Sequence, residues 1–300
     1  MSLVVICGAT ATGKSDLAVM LAQKIGAEIV NADSMQLYTG MDIGTAKLTT
    51  AERGGINHHL IDILDIKDEA NVAWYQSMAR GVIDQLIDQG KSVVVVGGTG
   101  LYVKAILDDL NFPDTNPELR QNITEEAERV GNEIMHEKLA KLDPAAALAI
   151  PKENLRRIIR ALEVIELTGK PFTANLPRQE SSRYPMAKQF GLAFNRENLD
   201  QKIDERVENM WEKGFAREVS LLMTKGLEQS PTARKALGYS QIMNYLKGEC
   251  SEEFAKEETK RTTKAYARRQ ETWFNRDERI TWLPPAINTV RLEKLLASIN

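Results

Sequence analysis

Val4-Val5-Ile6-Cys7 leads directly into Gly8-Ala9-Thr10-Ala11-Thr12-Gly13-Lys14-Ser15, and Asp16-Leu17-Ala18-Val19-Met20-Leu21 follows. The first four residues are an apolar β-type run, the next eight satisfy GxxxxGK[ST], and the last six continue as a helical pattern. This strand, loop and helix order is the setting that a phosphate-binding P-loop requires. Gly8 and Gly13 permit a tight loop whose backbone N–H groups turn inward toward phosphate oxygens. The helix that follows adds unpaired donors and the positive end of its dipole. Lys14 brings a point charge, and the Ser15 hydroxyl is placed to hold Mg²⁺. The motif implies a bound di- or triphosphate and is shared with ATP-binding proteins, so alone it does not say which polyphosphate is held.

Outward from this loop, Glu28-Ile29-Val30-Asn31 reads as a second strand, Ile61-Asp62-Ile63-Leu64 as a weaker third, and residues 72–89 as a helix closed by Gly90. Lys91-Ser92-Val93-Val94-Val95-Val96 is a β-branched run of the kind buried in a parallel sheet. Gly97-Gly98-Thr99-Gly100 and a helix over residues 101–110 follow it. Alternating strands and helices predict an α/β fold, a P-loop NTPase-like parallel sheet flanked by helices. Active residues then belong at the carboxyl ends of the strands: the P-loop, Asp33 and the Gly-Gly-Thr-Gly turn.

Beyond Pro113 the pattern changes. Residues 118–169 read as successive helices broken at Gly131 and Asp143-Pro144, and residues 173–185 as a polar loop. Gln189-Phe190-Gly191-Leu192-Ala193-Phe194 returns as a strand, and Ile280-Thr281-Trp282-Leu283 is a final one. The expected organisation is a catalytic core of residues 1–113 and 184–300 with an all-helical insertion domain over 114–183.

The 300 residues include two cysteines and three histidines, too few for a disulfide framework or a Cys/His zinc cluster, so a cytoplasmic setting is expected. His58-His59 are adjacent and point to different sides of any regular element, which suits a surface or substrate loop better than a metal site. No stretch approaches the roughly 20 apolar residues of a membrane span. A net charge of −3 argues weakly against a large nucleic-acid footprint, although basic residues are locally clustered.

Asp33, at the end of the second strand, can coordinate Mg²⁺, accept a proton or cap a helix. Arg156, Arg157 and Arg160 cluster on one helix, as a solvated face or as phosphate contacts. Lys256, Lys260, Arg261, Lys264, Arg268 and Arg269 recur at helical spacing near Tyr266, Trp273 and Phe274, a pattern suited to a nucleic-acid strand or, since Glu257, Glu258 and Glu271 dilute the charge, to a solvated helix face. Lys235-Ala236-Leu237-Gly238-Tyr239 adds a basic and aromatic turn. Arg206 is a second candidate cation for phosphate, or a partner for a nearby helix carboxylate.

Several motifs, in order, resemble the tRNA dimethylallyltransferase (IPP transferase) family. They are the P-loop, Asp33-Ser34-Met35-Gln36-Leu37-Tyr38, Gly40-Met41-Asp42-Ile43-Gly44-Thr45-Ala46-Lys47 and Gly97-Gly98-Thr99-Gly100-Leu101-Tyr102. Arg160-Ala161-Leu162-Glu163-Val164, Leu237-Gly238-Tyr239 and Arg268-Arg269-Gln270-Glu271-Thr272-Trp273 extend the match. The resemblance implies transfer of a dimethylallyl group from dimethylallyl diphosphate to N6 of the adenosine at tRNA position 37, with Mg²⁺, by a monomer. It makes Asp33 the base, with Thr10, Lys14 and Arg206 in the catalytic set. Contacts to the tRNA anticodon stem-loop are then expected from Asp33, Ser34, Met35, Gln36, Thr99 and Arg120. The same holds for Arg156-Arg157-Ile158-Ile159-Arg160, Lys235-Ala236-Leu237-Gly238-Tyr239-Ser240 and Ala267-Arg268-Arg269-Gln270-Glu271-Thr272-Trp273-Phe274. A P-loop small-molecule kinase, a relative that prenylates an adenine nucleotide, and a non-catalytic RNA-binding protein are the competing readings.

Overall fold

The structure, a computed structural model, describes residues 2–110, 112–175 and 182–299. It divides into two compact units, residues 1–107 with 184–300, and residues 108–183.

The first unit is built on β1 (Leu3–Cys7), β2 (Ala27–Asn31), β3 (His58–His59), β4 (Ser92–Gly97), β5 (Lys188–Leu192) and β6 (Ile280–Leu283). Among the described residues these form one sheet of order β3-β2-β4-β1-β5-β6, every pair parallel. The two-residue period of a strand divides its side chains between two cores. Val5, Cys7, Val93 and Val95 pack with Tyr75, Ile83 and Ile106, from α2 (Val72–Asp88) and α3 (Gly100–Leu107). Val4, Ile6, Val94 and Val96 pack on the other side with Leu17, Leu21 and Leu295, from α1 (Lys14–Ile25) and a C-terminal helix (Asn288–Ile299). A sheet buried on both faces explains why β1 and β4 read as unbroken apolar runs.

β1 lies between β4 and β5, with Cys7 level with both Gly97 and Gly191. The P-loop and the Gly98 turn therefore leave the sheet side by side. Asn31 pairs with Val96, which brings the Asp33 segment to the same end. Gly97 is required there: a Cβ would stand 2.2 Å from the Ala32 carbonyl oxygen.

The expected third strand is displaced. His58–His59 pairs with β2, while Ile61 to Leu64 contributes only a bridge between Tyr38 and Leu64. Leu60 and Asp62 adopt left-handed backbone (φ 60° and 57°), which a continuous strand cannot accommodate. His59 hydrogen-bonds Glu28 on β2, and the described residues contain no cluster of three or more His, Cys, Asp or Glu able to hold a metal.

The second unit is helical: α4 (Pro117–Val130), α5 (Asn132–Leu142), α6 (Pro144–Ala149) and α7 (Leu155–Thr168) surround their own core of Ile123, Met135, Leu139, Ile158 and Leu162. Asn116 caps α4, Asp143 caps α6 and Asn154 caps α7. The unit begins at Asp108, which bridges to Ser182, six residues earlier than the expected boundary at 114. Part of the expected loop over 173–185 lies outside the described residues, and Phe172–Asn175 forms a short 3₁₀ turn.

After β5 the first unit continues with α8 (Arg196–Glu212), α9 (Phe215–Thr224), α10 (Tyr239–Leu246) and α11 (Glu252–Phe274), and the C-terminal helix is α12. Tyr38, Met41, Phe215 and Tyr239 share a third core. Gly40 to Lys47 wraps this core. The Glu218 carboxylate accepts the N–H groups of Asp42, Ile43 and Gly44 and the Tyr239 hydroxyl, and the buried Lys47 ammonium reaches Asp42 and Asp62. A Cβ at Gly44 would overlap the rings of Phe215 and Tyr239, so that motif carries a packing requirement.

Candidate active site

The P-loop holds its shape through left-handed or glycine-type backbone at Gly8, Ala11 and Gly13 (φ 132°, 61° and 85°). Ala11 is the strained one, as functional loops often require. The Thr12 hydroxyl donates to the Ala9 carbonyl at 2.8 Å, and Lys14 Nζ donates to the same oxygen at 2.6 Å. From behind, α12 braces the loop. Buried Arg291 donates to the carbonyls of Thr12, Ala193 and Pro284, and Asn288 Nδ2 donates to Gly13 O at 2.9 Å. Ala9 packs on Leu199, Ile203 and Ala267, which seats the loop against α8 and α11.

Arg206 lies one turn beyond Ile203 on α8. The sequence left open a pairing with Asp204, but Asp204 is taken by Lys264 at 2.7 Å, and Arg206 has no hydrogen-bond or ion-pair partner among the described residues. Burial lowers the Arg206 pKa, an effect that the field of Asp33 partly offsets. Burial and then the neighbouring Arg206 charge bring Lys14 down to about 8, again partly offset by Asp33. Neither of these two neighbouring cations is bonded to a carboxylate among the described residues. Cys7, beneath the loop, is pushed up to about 12 by burial and stays a neutral thiol.

Asp33 is fixed by its surroundings. Asn31, buried in β2, accepts the Asp33 N–H at 3.0 Å and donates to its carbonyl at 3.0 Å, while the Tyr75 hydroxyl holds the Asn31 carbonyl. One Asp33 carboxylate oxygen accepts the Met35 N–H at 2.9 Å; the other has no partner among the described residues. The Thr99 hydroxyl oxygen accepts the Ser34 N–H at 3.2 Å. Tyr266, on α11, is pushed up to about 12 by burial and the nearby Asp33 charge, against hydrogen bonds with Thr99 and Gln270. The base candidate, two cations and the loop are thus neighbours. A cavity of about 650 Å³ beside the loop shares Ala11, Thr12 and Gly13 with the site but is not lined by Lys14, Asp33 or Arg206.

The basic stripe of α11 faces inward more than its sequence suggests. Asp200, Asp204 and Glu208 recur every fourth residue on α8 and pair with it: Lys256 and Lys260 with Glu208, Lys264 with Asp204, and Arg268 with Asp200 at 3.7 Å. Arg261 pairs with Glu258 on its own helix. In the stretch from Ala267 to Phe274, Ala267, Gln270 and Phe274 are buried and Glu271 pairs with Arg196. Arg268, Arg269, Thr272 and Trp273 remain exposed, with the Arg269 guanidinium 5.6 Å from the Tyr266 ring centroid. A Cβ at Gly100 would enter the Trp273 ring, so that turn lies directly beside the exposed face. Between Lys235 and Ser240, Lys235 is exposed, Leu237 and Ser240 are half-buried, and Ala236, Gly238 and Tyr239 are buried.

In the second unit, Arg156 and Arg157 are exposed, whereas Ile158 and Ile159 are core residues whose side chains face away from solvent. Arg160 and Arg120 both bind the fully buried Glu163 carboxylate, at 2.9 and 2.8 Å. Burial pushes Glu163 up, but these guanidinium hydrogen bonds outweigh it and hold the carboxyl below its ordinary range. Arg160 is thus tied to a carboxylate of its own helix, three residues further on, and is not free on the arginine face.

The IPP transferase family matches residues 36–277. The chain is 54% identical over 288 residues to a tRNA dimethylallyltransferase of Thermobifida fusca (strain YX), covering 94% of this chain and 90% of that protein. It is 50% identical over 297 residues to one of Streptomyces coelicolor (strain ATCC BAA-471 / A3(2) / M145), covering 99% and 95%. The crystal structure of a tRNA isopentenylpyrophosphate transferase from Bacillus halodurans superposes with a TM-score of 0.73 at 37% identity, covering 99% of this chain and 96% of that one. A eukaryotic dimethylallyltransferase captured acting on tRNA gives a TM-score of 0.81 at 26% identity, covering 96% and 75%. With the family spanning most of its length and relatives near half identity across it, the chain belongs to the IPP transferase family.

Proposed function

We propose that this protein transfers a dimethylallyl group from dimethylallyl diphosphate to N6 of the adenosine at tRNA position 37, in the cytoplasm and as a monomer. The observation that carries this reading is the partnerless Arg206 guanidinium beside Lys14 and the P-loop, with a fixed carboxylate, Asp33, in the same electrostatic neighbourhood. Cations gather where a diphosphate departs, and a carboxylate lies where a proton is lost.

The exocyclic amine of adenine is a poor nucleophile because its lone pair is delocalised into the ring. As its nitrogen bonds to the allylic carbon, the carbon–oxygen bond to diphosphate breaks and its electron pair passes to the diphosphate oxygen. The proton leaving N6 goes to Asp33. Charge developing on the leaving oxygen is met by P-loop N–H groups, Lys14 and Arg206, with the Thr10 hydroxyl beside the reacting groups. The target base must leave its stack to reach this site. Exposed Arg156, Arg157, Lys235, Arg268 and Arg269 are suited to phosphates of the anticodon stem-loop.

Ser15 fits a Mg²⁺ ligand: its half-buried hydroxyl, in the first turn of α1, has no partner among the described residues. Mg²⁺ takes few protein ligands at phosphate sites and would there neutralise diphosphate oxygens. Among the described residues no helix is long and apolar enough to cross a membrane.

Incubation with labelled dimethylallyl diphosphate, Mg²⁺ and an unmodified anticodon stem-loop RNA is expected to move label into RNA. Label in AMP instead, or phosphate release from ATP alone, overturns this reading. Because protonated Lys14 is the form that attracts diphosphate, the KM for dimethylallyl diphosphate is expected to rise as pH passes above about 8. Lys14→Arg removes that inflection, and an inflection that persists in this variant contradicts the assignment.

A further inference from the structure

Besides the packing of Ala267 on Ala9, α11 hydrogen-bonds the P-loop through one buried side chain. Gln270 of α11 is 6% exposed; its Oε1 accepts the Thr10 N–H at 2.9 Å and its Nε2 donates to the Gly98 carbonyl at 2.8 Å. Thr10 N–H can only donate and Gly98 O can only accept, so these neighbours fix which way the amide points. Gly98 admits it, since a Cβ at that position would lie 2.3 Å from Nε2.

We infer that Gln270 is a positioning residue of the diphosphate loop and not a contact to RNA, an inference that rests on reading residues 8–15 as the diphosphate cradle. Its side chain is buried and both ends of its amide are engaged, leaving no edge on which to read a base. It withdraws the Thr10 N–H from the cradle, so that the loop offers the anion its other N–H groups, and it ties the loop to the turn after β4. The next residue in that turn, Thr99, holds the Ser34 N–H beside Asp33. One chain of bonds therefore runs from the P-loop through Gln270 and the Gly98-Thr99 turn to the segment carrying the base. It sets the separation between leaving group and proton acceptor. Thr99 thereby acquires a structural bond in addition to its expected place near tRNA.

Gln270→Met tests this directly. With Mg²⁺ present, inorganic pyrophosphate is expected to bind about tenfold more weakly to the variant, while the affinity for anticodon stem-loop RNA stays within about twofold. Unchanged pyrophosphate binding with a tenfold loss of RNA affinity would overturn the inference and return Gln270 to the RNA interface. Should the variant not fold, amide hydrogen exchange on the wild-type protein decides. The Thr10 N–H is expected to be protected before pyrophosphate is added and unchanged after. A Thr10 N–H that exchanges freely until pyrophosphate protects it is a phosphate donor, and the inference fails. Wild-type protein that binds no pyrophosphate with Mg²⁺ refutes the cradle reading itself, and the inference with it.

Discussion

Asp33→Asn is expected to slow dimethylallyl transfer by about 10²–10⁴-fold, measured in single turnover at saturating RNA, while RNA affinity stays within about twofold. The substitution is nearly isosteric. Its side-chain oxygen can still accept the Met35 N–H, and the bonds from Asn31 and Thr99 hold only backbone atoms of this segment. The local fold is therefore kept and the loss is confined to proton transfer. Removing the base leaves the N6 proton in place as the carbon–nitrogen bond forms, and that is costly in the transition state alone. A near-normal rate in this variant removes Asp33 from the role of base.

Arg206→Met is expected to lower kcat/KM for dimethylallyl diphosphate by about 10²–10³-fold. Met is of similar length and apolar, and the guanidinium it replaces belongs to a half-buried residue with no partner among the described residues, so the fold loses no ion pair. A melting temperature at or above that of the wild type is expected, which separates lost chemistry from lost structure. Because Arg206 is one of the influences that lower Lys14, its removal is also expected to move the alkaline rise in KM to higher pH. A variant with normal kcat/KM, or with its inflection unmoved, contradicts a shared anion site for these cations.

The parts of this molecule legible in the sequence are those whose signal is local. The P-loop is contiguous, and β1 and the Val93–Val96 run of β4 announce a sheet buried on both faces because these residues are apolar without a break. The breaks at Gly131 and Asp143 were legible because caps and left-handed glycines belong to single positions. Less is legible where the deciding partner is distant. The lysines of α11 resemble a nucleic-acid surface until Asp200, Asp204 and Glu208 are brought against them; spacing four on α8 was the available signal. Gln270 is a single neutral amide with no periodicity, so nothing in the chain connects it to Thr10, 260 residues away. The third strand lies at His58–His59, ahead of its expected place; β-type composition at Ile61 to Leu64 carries no warning of left-handed backbone at Leu60 and Asp62. Residues 40–47 stood out as a string, but their dependence on Glu218 emerges only in the fold.

The central claim is that the P-loop here grips a leaving group and does not transfer phosphate. Dimethylallyl diphosphate labelled with one isotope in the isoprenoid and another in the terminal phosphate tests it in a single reaction with anticodon stem-loop RNA. The account predicts one intact diphosphate released for each dimethylallyl group found on adenosine N6, with no orthophosphate. Orthophosphate release, or terminal-phosphate label appearing in the RNA, would contradict it.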